Sequence, residues 1–506
     1  MNQVKAGVVL NYVIIALNTC LGLLYTPYML RMLGQNEYGL YSLVASVIAY
    51  LTVLDFGFGN AIVRYTSKFR AEGKTAEQWE MFGMFTVLYT LIGILALGVG
   101  SLLYFNVDAL FDSTMSDAEL AQARTMMLFL VVNLAVTFPF SIFGSIITAY
   151  EDFVFQKAVQ IVRLLLCTAT LIVLLHYGYK AVAMVVVQTA FNIGTLLLNF
   201  VYCRRKIGVK IWFRGFDRAF IKEISVYSFW IFLNAIMDRV YWNTGQFVLG
   251  AVAGTVAVAV FSVAITLQQM YMTFSSSIAG VLLPRITAMV ATHKSDKEIS
   301  DTFIATGRLQ AVVMMLILSG FVVFGRGFIG LWAGSGYEDS YVITLIFFVA
   351  LFIPLIQNVG ISILQARNRM KFRSVCYVVI AAVSLAFQVV LSKVMGPVGC
   401  AIAIGAALLL GQGLVMNIYY AKRQALDIGK FWHEIGRMAV VPLVLTALGL
   451  ASWRFADYDR PLQLAAGIVL FAALYLPLFY KLSMNDYERN LVLAPVKKIW
   501  SKIRSV

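Results

Sequence analysis

Charge is scarce in this sequence: only 13% of its 506 residues are Asp, Glu, Lys or Arg, about half the share of an ordinary soluble domain. No polar stretch is long enough to fold as a soluble domain between the apolar runs. Cysteine is equally sparse. Cys20, Cys167, Cys203, Cys376 and Cys400 stand at no metal-binding or disulfide spacing and suit packing positions. The three histidines, His176, His293 and His433, carry no H-E-x-x-H pattern, so neither a metal site nor a cofactor is expected. A G-x-x-x-x-G-K-[ST] loop is missing, which argues against direct ATP hydrolysis. The longest outer loop is only about 20 residues and shows no catalytic constellation, so no catalytic residue is assigned and an enzyme is not expected.

What is abundant is apolar surface. The chain is 61% hydrophobic with a mean hydropathy of +0.83. Stretches of about 20 apolar residues, the length needed to cross a bilayer, recur from about 6–30 to about 462–480. They predict an all-α polytopic membrane protein of about fourteen transmembrane helices. The first apolar run is too long for a signal-peptide core and reads as a span. The net charge of +15 lies in short loops. That distribution is a topology signal and speaks against a nucleic-acid partner. With both ends in the cytoplasm, about 31 of the 40 basic residues fall inside and about 7 outside. The longest outer loop, 105–123, is acidic, with Asp108, Asp112, Asp117 and Glu119. Two basic, aromatic-rich cytoplasmic segments, Lys210–Lys222 and Val496–Arg504, are expected to lie as interfacial helices on anionic membrane lipids.

The sequence also resembles itself at an offset of about 220 residues. Gly34, Tyr41 and Ser42 fall on Gly254, Phe261 and Ser262, and the turn at Gly178 matches that at Gly396. Each repeat holds six spans. An even number predicts two six-helix lobes related by a pseudo-two-fold axis along the membrane normal, facing each other across a cleft. The expected organisation is an N-terminal lobe over 1–205, a basic amphipathic linker over 206–223 and a C-terminal lobe over 224–422. Two accessory helices over 423–483 and a basic tail over 484–506 follow.

The run L-R-M-L-G-Q-N-E-Y-G-L-Y-S-L (Leu30–Leu43), with L-D-F-G-F-G-N-A-I-V-R-Y (Leu54–Tyr65), closely resembles the opening of bacterial polysaccharide flippases of the O-antigen type. D-R-V-Y-W-N-T-G-Q-F-V-L-G (Asp238–Gly250), then Ala259–Ala264 and Leu283-Pro284, is similar to the start of their second half. These belong to the multidrug/oligosaccharidyl-lipid/polysaccharide exporter superfamily. The resemblance implies alternating access in a bacterial inner membrane. It also implies export of an undecaprenyl-diphosphate-linked oligosaccharide, alongside a polysaccharide polymerase and chain-length machinery. The first span has Asn11 and Asn18 but no carboxylate, which sets it apart from the drug-exporting branch. The rival readings are a multidrug or organic-cation antiporter and a membrane sugar polymerase or glycosyltransferase.

A charge at mid-membrane costs roughly 2.5–3.5 kcal/mol on insertion scales, so it signals a wet cavity or a partner. Asp238 and Arg239 lie roughly 22 Å into the seventh span. Asn243 and Gln246 continue the Arg239 stripe, as Asn234 and Trp242 continue that of Asp238. A structural ion pair between helices explains the same pattern. Arg163 in the fifth span, Arg64 ending the second and Arg31 ending the first complete a candidate ladder for a diphosphate. Snorkelling to the cytoplasmic end of its span is the equal alternative for Arg163, and helix-end anchoring is the plain alternative for Arg64 and Arg31. Asn11, Asn18 and Tyr25, with Gln268 and its polar neighbours on the eighth span, could meet sugar hydroxyls or pack helices. Asp55 and Asp238 are the candidates for coupling to a proton or other cation.

Overall fold

The computed structural model describes residues 3–214, 218–292, 294–367 and 369–490, so the tail segment Val496–Arg504 lies outside the described residues. Every regular element among them is helical. Lipid offers no hydrogen bonds to a backbone, and only a helix satisfies its own N–H and C=O groups within a single pass. In the first half these are α1 (Gln3–Leu51), α2 (Phe58–Ala71), α3 (Thr75–Phe105), α4 (Val107–Phe111), α5 (Asp117–Ala149), α6 (Phe153–His176) and α7 (Ala181–Tyr202). The second half has α8 (Arg218–Ala291), α9 (Asp296–Trp332), α10 (Asp339–Ile356), α11 (Asn358–Ala366), α12 (Met370–Leu408) and α13 (Met416–Gln424). α14 (Ile428–Ala451) and α15 (Pro461–Leu482) close the chain.

Among the described residues, 11 segments are long and apolar enough to cross a membrane. Three of them, Val9–Ala71, Arg239–Ser276 and Met370–Gln424, contain a sharp break, at Gly34, Gly254 and Gly396. Each broken segment holds two passes, which accounts for the expected fourteen. Gly34 (φ 76°, ψ 171°) and Gly254 (φ 81°, ψ −177°) share a conformation closed to side chains with a Cβ. Equivalent glycines in the two repeats therefore break their helices in the same way. The chain is a helical membrane protein with a two-lobed fold.

The helices group into two compact units: Met1–Ser262 with Gln388–Cys400, and Val263–Phe387 with Ala401–Val506. In the first unit α3 packs on α5, α5 on α7 and α1 on α6. This unit extends beyond the first sequence repeat, because the α8 segment up to Ser262 is held there by close contacts. Gly39 has no side chain because a Cβ would run into the carbonyl of Thr255, and one at Gly250 would meet Leu43. Thr114 Oγ1 donates to Gly250 O at 2.7 Å, and Thr255 Oγ1 donates to Glu119 at 2.9 Å. Glu119 also closes a capping box with Ser116 at the start of α5. Phe56 stacks near Phe232 at 4.3 Å between ring centroids.

The segment at 208–214 forms no interfacial helix. Trp212 N donates to Trp79 O at 3.1 Å, the two indoles meet edge-on at 4.9 Å, and Arg214 covers Trp212 while pairing with Glu80 at 3.3 Å. In the second unit α14, α10 and α15 pack on α9. Arg308 of α9 is buried there, clamped between Glu434 of α14 and Glu488 beyond α15.

Candidate functional site

Arg163 occupies position eleven of the 24-residue α6, about 15 Å along the axis from Phe153 and close to the helix midpoint. It is half-buried and has no hydrogen bond or ion pair among the described residues. Its side chain lines a cavity of about 600 Å³ between α6 and α7, whose other walls include Val162 and Leu166 on one side and Phe191, Gly194 and Leu198 on the other. One helix face supplies each wall, since Ala158, Val162 and Leu166 recur at intervals of four. A few residues before Arg163 on α6, Lys157 Nζ donates to Asn11 Oδ1 on α1 at 2.9 Å. Asn18 is exposed one heptad further on, and the hydroxyl of Tyr25 is buried without a hydrogen-bond partner among the described residues.

Asp55 ends a short 3₁₀ turn, Thr52–Asp55, after which Phe56 and Gly57 adopt left-handed conformations and α2 begins. The turn aims the half-buried carboxylate at Tyr89 of α3, whose hydroxyl donates to Oδ1 at 2.8 Å. Arg64 is exposed on α2, with its guanidinium carbon 5.6 Å from the Tyr65 ring centroid. Arg31 is exposed one turn before the break at Gly34.

On α8, Arg239 is exposed and forms no ion pair among the described residues, and Asn243 Nδ2 donates to its carbonyl at 3.5 Å. Gln246 is buried and donates to Ser262 Oγ at 2.8 Å, so this amide fastens two consecutive passes of the chain. Tyr50 of α1 meets Thr244 of α8 in a short hydroxyl–hydroxyl contact. The backbone of Asp238 and Asn234 is helical, and their side chains lie outside the described part. Gln268 belongs to the second unit, is fully buried and points Nε2 at Met272 Sδ, 2.6 Å away, leaving Oε1 without a partner among the described residues.

All four candidate arginines, with Asn18, Asn243, Gln246 and Asp55, thus belong to the first unit. Two contacts escaped the sequence reading. Tyr89, the partner of Asp55, is unmarked in an apolar run. Arg308 lies near the start of an apolar run and was not singled out. The signal available for it was an isolated arginine with Gln310 close behind on an otherwise apolar helix, and acids flanking the last two spans.

A family model described as polysaccharide biosynthesis protein matches residues 4–290, more than half of the chain. The uncharacterized membrane protein EpsK of Bacillus subtilis (strain 168) is 22% identical over 503 residues, covering 96% of this chain and 97% of its own length. Among solved structures, the lipid II flippase MurJ in an inward closed conformation aligns with a TM-score of 0.69 at 16% identity, covering 93% of this chain and 99% of that one. An inward-facing multidrug resistance MATE family transporter of the MOP superfamily aligns with a TM-score of 0.65 at 13% identity, covering 81% and 99%. At these identities the structural likenesses establish the fold.

Proposed function

Because this chain belongs to the polysaccharide biosynthesis protein family, we propose that it is a flippase. Its cargo is an undecaprenyl-diphosphate-type lipid-linked oligosaccharide, carried from the cytoplasmic to the outer leaflet of the bacterial inner membrane by alternating access. The observation that carries this reading is Arg163, a cation near the middle of a spanning helix with no counter-ion among the described residues. A permanent charge at that depth costs roughly 2.5–3.5 kcal/mol on insertion scales, and a visiting phosphate offsets it. Arginine suits the role because its fork grips phosphate oxygens in pairs and stays protonated throughout.

In this reading Arg31, Arg64, Arg163 and Arg239 receive the diphosphate at successive depths. Asn18 and Asn243 offer amides to the sugar, while the internal bond of Gln246 gives that residue a positioning role. Gln268 is fully buried, and its unpaired Oε1 is proposed to meet the sugar only where the transport cycle exposes it. Asp55 and Asp238 are the groups proposed to couple transport to a proton or other cation, and the product passes to a polymerase and its chain-length machinery. Both chain ends lie in the cytoplasm.

Disrupting the gene and identifying the lipid-linked oligosaccharide that builds up on the cytoplasmic leaflet tests the proposal directly. Complementation by Arg239→Ala is expected to fail at normal protein levels. Normal export by that variant removes Arg239 from the mechanism. If disruption leaves every lipid-linked oligosaccharide at its usual level, the cargo is something else.

A further inference from the structure

The cavity between α6 and α7 combines one cation with apolar walls, and the cation has no hydrogen-bond or ion-pair partner among the described residues. The 24 residues of α6 span about 36 Å, slightly more than the hydrocarbon core of about 30 Å. A bilayer centred on α6 would place Arg163 near its midplane, from where the side chain reaches only part of the way to either interface. Apart from Arg163 and Thr195, the cavity has an entirely apolar lining. It is an open groove, with Val162, Leu166, Gly194 and Leu198 exposed along it, and its volume of about 600 Å³ lies within the usual range of ligand sites, about 300–1,000 Å³. A Cβ at Gly194 would meet no atom within 4 Å, so this glycine leaves space open in the α7 wall.

A ligand that fits must join an anion to a hydrocarbon chain. A bare inorganic anion would leave the apolar walls unfilled, and a neutral chain would leave the guanidinium unpaired. A resting phospholipid fails on depth, because its phosphate sits at the interface, about 15 Å from the midplane. Only a lipid in transit brings a phosphate to the level of Arg163. We propose that the α6/α7 cavity is a prenyl-phosphate subsite of the first unit, in which Arg163 binds the phosphate group while the adjoining isoprene units lie against Val162, Leu166, Phe191 and Gly194. This inference rests on the flippase reading and adds where the carrier chain is held while its headgroup crosses.

The test uses the purified full-length protein in detergent and measures binding of geranylgeranyl diphosphate, geranylgeraniol, inorganic pyrophosphate and phosphatidylglycerol by native mass spectrometry. The prenyl diphosphate is expected to bind at least about tenfold tighter than each of the other three. Arg163→Gln should remove that margin and Arg163→Lys should keep part of it. Gly194→Phe, which fills the cavity with Arg163 in place, should abolish prenyl diphosphate binding and keeps the test decisive if Arg163→Gln does not fold. Unchanged binding by Gly194→Phe, or equal binding of phosphatidylglycerol, overturns the subsite. If both variants lose prenyl diphosphate binding while gene disruption accumulates no lipid-linked sugar, the subsite stands and the proposed cargo falls.

Discussion

Replacing Arg308 with alanine would strip the second unit of its main polar clamp. The guanidinium donates to Glu488 from Nε at 2.6 Å and from Nη2 at 3.0 Å, to Glu434 from Nη1 at 2.6 Å, and to the carbonyl of Ser483 at 3.1 Å. Glu488 is 1% exposed and Arg308 5%. Without the arginine, Glu488 keeps only the backbone N–H of Asn485, at 3.0 Å, as a donor among the described residues. Removing one partner of a buried ion pair costs about 3–5 kcal/mol, because the other charge stays behind unpaired. In a unit of this size that lowers the unfolding temperature by on the order of 10 °C. Thermal unfolding of the detergent-solubilised protein measures it. The double variant Arg308→Leu with Glu488→Leu should recover most of the loss, since a well-packed apolar pair replaces a buried ion pair at little cost. An Arg308→Ala protein that unfolds within about 2 °C of the parent, or a double variant no more stable than the single, would refute the clamp.

Gly39→Leu is expected to force the α8 segment at Thr255 away from α1, at a cost of about 1–3 kcal/mol for overpacking, and to lower both thermal stability and export. Full activity would mean that this close approach does not matter. If Asp55 couples transport to an ion, Asp55→Asn should abolish the dependence of vesicle transport on an imposed proton or sodium gradient, while Tyr89→Phe, which removes only the donor to that carboxylate, should weaken it. A gradient dependence left intact by Asp55→Asn transfers the role to Asp238 or elsewhere.

The passes, their breaks and the duplication were legible from residues alone. Gly34 and Gly254 illustrate why, since a backbone at φ near +80° excludes side chains and writes itself into sequence as glycine wherever the chain repeats. The candidate site was legible only as a set of polar residue types in apolar runs. Gln246 and Arg163 look alike in that respect, yet one is bonded to Ser262 and the other lines a cavity. Two charges that meet across the fold, such as Arg308 and Glu488, lie 180 residues apart in the chain.

From its sequence, then, came the helices, their number and the positions where they break, all consequences of backbone hydrogen bonding in a solvent that supplies none. Tertiary structure decided which face of each helix meets protein. On α3, Phe85 and Tyr89 are fully buried while the neighbouring Leu91 and Ile94 are 59% and 60% exposed. Lipid is as apolar as a protein interior, so hydropathy cannot separate the two faces, and shape and polar pairing alone distinguish them.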